Sequence, residues 1–143
     1  ISDYDKGFLT YSGCQQISDM FSNIPVFVDS KKNDLSCFKN SIIKINEKES
    51  RNMYGIPPSS ELITTLGAKG TLYQDKIYET SKVEVFDVCG AGDVFLSSLV
   101  YFYLLTNNVE GSIIFANKCA SYSVSKFGTY VLSKEEIYEI SRN

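Results

Sequence analysis

Short apolar runs alternate with segments of helical spacing along this chain, and this alternation restricts the fold more than any other feature. Strands are expected at residues 25–29, 42–45, 62–66 and 83–86, and helices at residues 10–23, 47–53, 91–106, 109–126 and from Ser133. Parallel strands joined by crossover helices have this order. A hairpin is expected around Gln74 and Asp75, between residues 71–73 and 76–78, and a polar loop at residues 31–40. Ser133 and Glu136 have the spacing of a capping box at the start of the last helix. The residues of the helix at 109–126 that are expected to face inward are Ile113, Ile114, Ala116, Cys119, Ala120 and Val124. The sequence therefore predicts an α/β fold with three α/β/α layers, an open and mostly parallel sheet, crossover helices and a small hairpin.

Composition excludes several classes of function. The 143 residues are 43% hydrophobic and carry a net charge of −3, which gives no general attraction to nucleic acid or to anionic lipid. No apolar run is long enough to span a membrane. Histidine is absent, which removes histidine-based triads and histidine metal sites. Any general base must therefore be a carboxylate, Lys, Tyr or Cys.

Four scattered cysteines without a C-x-x-C pair indicate free thiols in a reducing compartment, so we expect a cytoplasmic protein. The chain begins at Ile1 without an initiator Met or a leader, as though cut from a longer protein.

Polar residues stand at the carboxyl ends of the expected strands. They are Asp3, Asp29, Asn46, Gly67 and Asp87. Ligands of open parallel sheets bind beyond the carboxyl ends of the strands, so we expect these residues near a ligand.

Residues 87–93 (D-V-C-G-A-G-D) place a glycine turn between an expected strand and an apolar helix. The first N–H groups of a helix have no internal partner and form a site for anions such as phosphate. Gly90 and Gly92 allow close approach of a phosphate because they lack a Cβ. Asp93 would repel that phosphate, unless its carboxylate accepts the proton of an attacking hydroxyl. The pattern therefore favours phosphoryl transfer, although acids and glycines are also common at purely structural helix starts.

Further motifs follow in an order that resembles the ribokinase-like (PfkB-type) carbohydrate kinases, closest to the heptose-phosphate kinase domain of bacterial ADP-heptose synthesis enzymes. They are residues 2–7 (S-D-Y-D-K-G), 28–31 (V-D-S-K), 46–49 (N-E-K-E), 65–70 (T-L-G-A-K-G), 87–93, 115–117 (F-A-N) and 128–129 (G-T). Each motif is weak by itself, and the ordered set is strong. Ser30 departs from the proline of that subgroup, and Cys89 stands where many relatives have Thr.

The resemblance implies roles for individual residues. Asp93 would be the base for the attacking sugar hydroxyl. The backbone N–H groups of Gly90, Ala91 and Gly92 would stabilise the transferring phosphoryl group. The other implied site residues would bind ATP: Asn46, Glu49, Thr65, Gly67, Gly70, Asn117 and Lys31, with Lys6 as a further cation.

Mg²⁺ is implied at Asn46 and Glu49, through water. Structural alternatives stay open for three groups of the implied site residues. Asn46 and Glu49 have the spacing of a helix cap with its capping-box partner. Gly67 and Gly70 are also compatible with ordinary turns, and Lys31 and Lys32 with a solvated loop.

Residues 1–143 are expected to be the C-terminal, nucleotide-binding and catalytic part of one ribokinase-like domain, without its N-terminal half and lid. The fragment alone is expected to be weak or inactive. The segment between Asn46 and Leu62 is shorter than in relatives, which leaves open a trimmed helix or missing residues. The rival function is a non-catalytic nucleotide- or sugar-binding remnant of the same fold. We expect a sugar or sugar phosphate as partner, no nucleic acid and no membrane, and a homodimer is left open.

Overall fold

A computed structural model describes residues 1–142, which form two compact units. The first unit contains residues 1–67 and 72–76, and the second contains residues 68–71 and those from 77 onward. The six strands are ordered β1-β2-β3-β4-β5-β6 in the sheet. None of the described helices combines the length and apolar character that crossing a membrane requires.

The first unit is built on four parallel strands: β1 (Ser2–Asp3), β2 (Val26–Ser30), β3 (Ser41–Asn46) and β4 (Glu61–Thr65). Val28 of β2 pairs with Ile43 of β3, and Ile43 pairs with Leu62 of β4. All of β2 and all but the last residue of β3 are buried, as in parallel sheets covered on both faces. The expected parallel sheet is confirmed, and its strand ends align along one edge.

The connection between β3 and β4 has a helix of one turn, α2 (Glu47–Ser50), instead of the predicted helix over residues 47–53. Gly55 has a φ of +70°, and Pro57 and Pro58 lack the N–H groups that helical hydrogen bonds need. These residues exclude a longer helix, and the earlier end at Ser50 accompanies the pairing of Tyr54, whose N–H donates to the carbonyl of Asn33 at 2.7 Å. The earlier connection, α1 (Tyr11–Met20), begins after its cap Thr10, whose Oγ1 accepts a hydrogen bond from the N–H of Gly13 at 3.1 Å.

The predicted polar loop at residues 31–40 is wrong in one respect. Leu35, Cys37 and Phe38 are fully buried and belong to the same core cluster as Val28 and Ile45. The loop is therefore irregular in conformation but supplies apolar side chains to the core, which the absence of periodicity concealed.

The hairpin is confirmed, with strands β5 (Thr71–Tyr73) and β6 (Lys76–Tyr78). Gln74 and Asp75 have φ values of +47° and +61°. Two left-handed residues in succession are typical of the type I′ turn, whose twist suits a two-residue hairpin.

Three helices dominate the second unit: α3 (Ala91–Thr106), α4 (Val109–Val124) and α5 (Lys134–Arg142). Asn107 ends α3 in the left-handed conformation, and Asn108 caps α4 through a hydrogen bond from the N–H of Gly111 at 3.1 Å. The rings of Phe102 and Phe115 stack at 4.8 Å between α3 and α4. The predicted bounds of α3 are confirmed, and α4 ends two residues earlier than predicted.

The inward face predicted for α4 is confirmed at Ile113, Ala116 and Cys119, which are buried. Ile114 is exposed, and Phe115 is buried instead. At the start of α5, Ser133 Oγ accepts a hydrogen bond from the N–H of Glu136 at 3.2 Å, and the Glu136 carboxylate accepts one from the N–H of Ser133 at 2.8 Å. This is the predicted capping box.

The strand predicted at residues 83–86 is wrong. The segment is irregular and exposed, and the N–H groups of Phe86 and Asp87 donate to the carbonyl oxygen of Val124 at 2.8 and 3.3 Å. The Phe86 ring packs against Phe127 at a centroid distance of 4.7 Å. The alternating side chains are therefore held at the end of α4 and not by a neighbouring strand. A pattern of alternation becomes a strand only where another strand offers its backbone groups.

Candidate functional site

The glycine turn before α3 is a β-turn of type II. The N–H of Ala91 donates to the carbonyl of Val88 at 3.2 Å, and Gly90 has φ and ψ of 78° and −2°. This turn requires a positive φ at its third residue, which glycine adopts without strain. Asp87 supports the turn because its Oδ1 accepts a hydrogen bond from the N–H of Cys89 at 2.8 Å.

Two of the three predicted amide donors are available at this turn. Within residues 1–142, the N–H groups of Gly90 and Gly92 have no hydrogen-bond partner, and neither has that of Asp93. The Ala91 N–H is engaged by Val88, so its predicted availability is wrong, because the turn closes through that bond. Unpaired donors at the N-terminus of a 16-residue helix form an anion site supported by the helix dipole.

Asp93 lies in the first turn of α3, and its side chain is exposed. Its carboxylate has no ion pair or hydrogen bond to any other described residue. The local contact of Asp93 runs through its backbone, whose carbonyl accepts a hydrogen bond from Ser97 Oγ at 2.8 Å. A carboxylate of this kind is free to accept a proton from a bound hydroxyl.

Thr129 is a neighbour of the turn that sequence reasoning did not single out. A Cβ on Gly90 would lie 2.9 Å from the Cγ2 of Thr129, and the Oγ1 of Thr129 is 3.4 Å from the Sγ of Cys89. The resemblance had placed Gly128 and Thr129 in a closing motif, and that motif was the signal available. The structure gives Thr129 the role of packing against the glycine turn.

Asn46 and Glu49 form the capping box of α2. Asn46 Oδ1 accepts a hydrogen bond from the N–H of Glu49 at 2.9 Å, and the N–H of Asn46 donates to Glu49 Oε2 at 2.8 Å. The side chains also meet directly, with Asn46 Nδ2 2.7 Å from Glu49 Oε1. The structural alternative therefore holds for this pair, whatever else the pair binds.

Lys31 joins this pair to the end of β2. Its Nζ lies 2.6 Å from Glu49 Oε1 and 3.2 Å from Asp29 Oδ1. Burial alone would lower the pKa of Lys31, but the hydrogen bonds to Glu49 and Asp29 and their charges outweigh it and raise this pKa. Asp29 Oδ2 accepts a further hydrogen bond from Lys44 Nζ at 2.7 Å. Sequence reasoning missed Lys44, although a lysine inside an apolar strand requires a buried partner.

Lys32 belongs to a second ion-pair cluster at the end of β1. Its Nζ lies 2.7 Å from Asp5 Oδ1 and 3.2 Å from Asp3 Oδ2. Asp3 also accepts hydrogen bonds from Ser30 Oγ and from the N–H of Asp5, each at 3.0 Å. The solvated-loop alternative is therefore wrong for Lys31 and Lys32. Lys6 is exposed and has no partner among the described residues.

The residues of the 65–70 motif differ in what holds them. Thr65 Oγ1 donates to the carbonyl of Ile45 at 3.3 Å. Gly67 has a φ of +59°, and nothing lies within 4 Å of the position of a Cβ. Gly70 has a φ of +98°, and a Cβ there would collide with the backbone carbonyl of Tyr78. Gly70 is thus fixed by its own neighbours, whereas Gly67 leaves open space.

Asn117 is buried in α4, and internal hydrogen bonds engage both ends of its amide. Oδ1 accepts from Thr71 Oγ1 at 2.7 Å, and Nδ2 donates to the carbonyl of Tyr78 at 2.8 Å. The hydroxyl of Thr80 contacts the Asn117 carbonyl at 3.3 Å and also the Ser121 hydroxyl. This network holds the hairpin residues on α4, and it was not anticipated from sequence.

The donor atoms at Asn46 and Glu49 test the implied Mg²⁺ site. Glu49 Oε1 already contacts Lys31 and Asn46 Nδ2, and Asn46 Oδ1 already accepts the cap hydrogen bond. Within residues 1–142, no group of three or more Cys, Asp or Glu side chains is placed to hold a metal. Hard cations take oxygen ligands, and Glu49 Oε2 has one remaining lone pair. The donor set therefore suits contact through water at Oε2 and not direct ligation by the pair.

Comparisons with known proteins agree on one family. Residues 23–136 match the model of the pfkB family carbohydrate kinases. The chain is 33% identical over 165 residues to bifunctional protein HldE of Nitratiruptor sp., which covers 100% of this chain and 35% of that protein. The chain thus spans about a third of the length of the curated relatives it matches. That alignment is longer than the 143 residues of the chain, so the relative has residues without a counterpart here.

Solved structures support the fold. Ribokinase of Thermotoga maritima superposes with a TM-score of 0.79 at 21% identity, covering 99% of this chain and 56% of that one. Ribokinase of Arabidopsis thaliana, complexed with ribose and ATP, gives a TM-score of 0.72 at 18% identity over 93% of this chain and 52% of that one. The fold is therefore ribokinase-like. Because the family model matches residues 23–136, which is most of this chain, the chain belongs to the pfkB family of carbohydrate kinases.

Proposed function

We propose that this chain carries the nucleotide-binding and catalytic part of an ATP-dependent carbohydrate kinase, which transfers the γ-phosphoryl group of ATP to a hydroxyl of a sugar or sugar phosphate. The observation that supports this most directly is at the start of α3. There the exposed and unpaired carboxylate of Asp93 adjoins the unpaired N–H groups of Gly90 and Gly92. An acid in the first turn also suits the dipole of a purely structural helix, so the support comes from the combination of this unpaired carboxylate with the unpaired amides of the glycine turn.

Each group at this turn has a defined task in the reaction. The sugar hydroxyl oxygen attacks the γ-phosphorus, and its proton passes to a carboxylate oxygen of Asp93. The bond between the γ-phosphorus and the bridging oxygen breaks, and ADP leaves with that oxygen. The N–H groups of Gly90 and Gly92 donate to the phosphoryl oxygens, where negative charge is concentrated. The turn at Gly90 holds these donors in place before the substrate arrives, so that no reorganisation is needed during transfer.

We assign nucleotide binding to Lys31, to the 65–70 motif and to Asn117. Lys31 would contact the phosphates, and Thr65 and Gly67 would lie along the nucleotide, where Gly67 leaves open space. Gly70 and Asn117 would act through the shape of the hairpin region, because neighbouring groups already engage them. ATP as the phosphoryl donor is supported by the solved ribokinase that contains ATP.

Mg²⁺ would be held near Asn46 and Glu49 through water, and when bound it supplies neutralisation of the nucleotide phosphate charge. The amides of the glycine turn and Asp93 would perform the proton transfer and the phosphoryl contacts described above. Heptose phosphate is the favoured acceptor, because residues 2–7 and 28–31 resemble the heptose-phosphate subgroup. We place the protein in the cytoplasm and expect full activity only with the rest of the kinase fold, of which the chain covers 56% in one solved relative.

The test is a kinase assay of the full-length protein with ATP, Mg²⁺ and a panel of sugars and sugar phosphates, comparing wild type with Asp93→Asn. We expect kcat to fall about 10²- to 10⁴-fold, the range for loss of a general base, while ATP binding is retained. Asp19→Asn is the matched control, since Asp19 is an exposed acid on α1 without an ion pair to another described residue. This control is expected to leave kcat unchanged.

Equal turnover by wild type and Asp93→Asn would remove the base assignment. Absence of turnover in both, with ATP still bound by both, would favour the rival function, a non-catalytic nucleotide- or sugar-binding remnant. ATP binding is measured separately by titration calorimetry, so that a loss of binding is not mistaken for a loss of chemistry.

A further inference from the structure

Lys44 is a buried lysine in the middle of β3, between Ile43 and Ile45, and it is only 3% exposed. An ammonium group without a partner at such a depth would be strongly destabilising. Its partner is Asp29 of β2, whose Oδ2 lies 2.7 Å from Lys44 Nζ. The register of the sheet explains the pairing, because Asp29 and Lys44 stand opposite each other on adjacent parallel strands.

The ion pair continues as a chain of alternating charges. Asp29 Oδ1 contacts Lys31 Nζ at 3.2 Å, and Lys31 Nζ contacts Glu49 Oε1 at 2.6 Å. The exposed fraction of the side chains rises from 4% for Lys44 and 10% for Asp29 to 35% for Lys31, and it is 18% for Glu49 at the end of the series. Lys31 is therefore the member that a ligand reaches most easily, and Lys44 is the member furthest from solvent.

Resting on the function proposed above, we propose that Lys44 is a positioning residue that holds Asp29, and through it Lys31, so that the Lys31 ammonium is presented to the terminal phosphates of a nucleoside triphosphate. An ammonium group has three donors. Asp29 and Glu49 take two of the donors of Lys31, which leaves one for a phosphate oxygen. Lys44 itself touches no substrate in this arrangement.

Charge balance gives the physical reason. With Lys44, the two lysines and the two carboxylates of the cluster sum to zero. Without Lys44, Asp29 and Glu49 outweigh Lys31, so the cluster becomes negative and repels an incoming phosphate. Asp29 then also lacks a partner on one oxygen, and its full charge draws Lys31 inward. Both effects weaken binding of a polyphosphate without altering any residue that contacts it.

The experiment is a double-mutant cycle in the full-length protein, with Lys44→Met, Lys31→Met and the combination of both. ATP and inorganic triphosphate are the probes, and titration calorimetry measures their dissociation constants. Each single variant is expected to weaken binding about tenfold to a hundredfold, the effect of losing a hydrogen bond to a charged group. The double variant is expected to bind only slightly more weakly than Lys31→Met, and its loss is expected to fall well short of the sum of the two single losses, because Lys44 acts mainly through Lys31.

Two further variants keep the test decisive. Lys39→Met is the matched control, since Lys39 is exposed and has no ion pair to a described residue, and it is expected to bind like wild type. If Lys44→Met does not fold, as judged by circular dichroism, Lys44→Met combined with Asp29→Asn replaces the buried ion pair with a neutral pair. The net charge of the cluster is again zero in this variant, so only the lost contact between Asp29 and Lys31 remains, and a weakening smaller than that of a charge-unbalanced cluster is expected.

Normal ATP binding by folded Lys44→Met, or by its neutral-pair form, would overturn the positioning role while leaving the proposed function intact. Additive losses in the double variant would overturn it as well, because they would mean that the two lysines act independently. Failure of the wild-type protein to bind either probe would instead overturn the proposed function, and this inference with it.

Discussion

Gly90 gives the sharpest test of the glycine turn, because two separate constraints act on it. Its φ of +78° lies in the left-handed region, and a Cβ would stand 2.9 Å from the Cγ2 of Thr129. Gly90→Ala therefore introduces backbone strain and a steric contact together. Gly128→Ala is the matched control, because Gly128 has a similar φ of +73° but has nothing within 4 Å of its Cβ position.

Comparing Gly90→Ala with Gly128→Ala separates the cost of backbone strain from the cost of the steric contact. An L-residue held in the left-handed region costs about 1–2 kcal/mol, so this loss is expected in both Gly90→Ala and Gly128→Ala. A steric contact forced by extra atoms costs about 1–3 kcal/mol. Because the exposed side chain of Thr129 can rotate away, we expect the steric cost in Gly90→Ala to be about 1 kcal/mol. We therefore expect the free energy of unfolding to fall by about 2–3 kcal/mol in Gly90→Ala and by about 1–2 kcal/mol in Gly128→Ala.

Urea denaturation followed by far-UV circular dichroism measures these differences, since the chain has no tryptophan to report by fluorescence. Adding Thr129→Ser to Gly90→Ala removes the contacting methyl group and should restore only the steric part of the loss. Equal stability of Gly90→Ala and wild type would refute the proposed turn geometry. A full rescue by Thr129→Ser would refute the assignment of backbone strain.

Two further predictions concern the second unit. Asn117→Ala removes buried hydrogen bonds, including the one to Thr71, and should lower the free energy of unfolding by about 1–3 kcal/mol in urea denaturation. Asn52→Ala changes an exposed position and should have little effect. Equal losses in the two variants would contradict the structural role of Asn117. The Glu136 carboxylate accepts a hydrogen bond from the N–H of Ser133, and this bond leads the causes that lower its pKa to about 2. The stabilisation that ionised Glu136 contributes to the folded state is complete above the ordinary carboxyl pKa of about 4.5 and is lost as the pH falls towards 2. Glu136→Gln should therefore make the free energy of unfolding less dependent on pH between these values. An unchanged pH dependence would contradict the cap.

Local patterns were sufficient wherever the signal lay within a few neighbouring residues. The hairpin at Gln74 and Asp75, the capping box at Ser133 and the bounds of α3 follow from turn residues, caps and apolar spacing, and all three are confirmed. The pattern at residues 83–86 has the same local quality, yet no strand forms. Hydrogen bonding to the end of α4 outweighed the alternation, because a strand depends on a partner that its own sequence does not contain.

In the candidate site too, features set by adjacent residues were predictable from the sequence, and contacts between distant residues were not. The glycine turn and the acid at position 93 are visible as a motif, because the turn conformation and the helix start are set by adjacent residues. The ion pair of Lys31 with Glu49 and the internal bonds of Asn117 join residues far apart in sequence. Asn117 lies 46 positions from the threonine to which it is bonded, and no spacing rule indicates such a pair.

Sequence alone determined the parallel α/β order, the glycine turn and the membership of a kinase family, because strand and helix periodicity, turn chemistry and ordered motifs are properties of contiguous residues. Only the tertiary structure decided which of those residues are free to meet a ligand. It engaged the Ala91 amide within the turn, buried Lys44 opposite Asp29, and left the carboxylate of Asp93 exposed. Burial and hydrogen-bond pairing depend on residues brought together by packing, and this is why the motif could indicate the chemistry but not the state of each group.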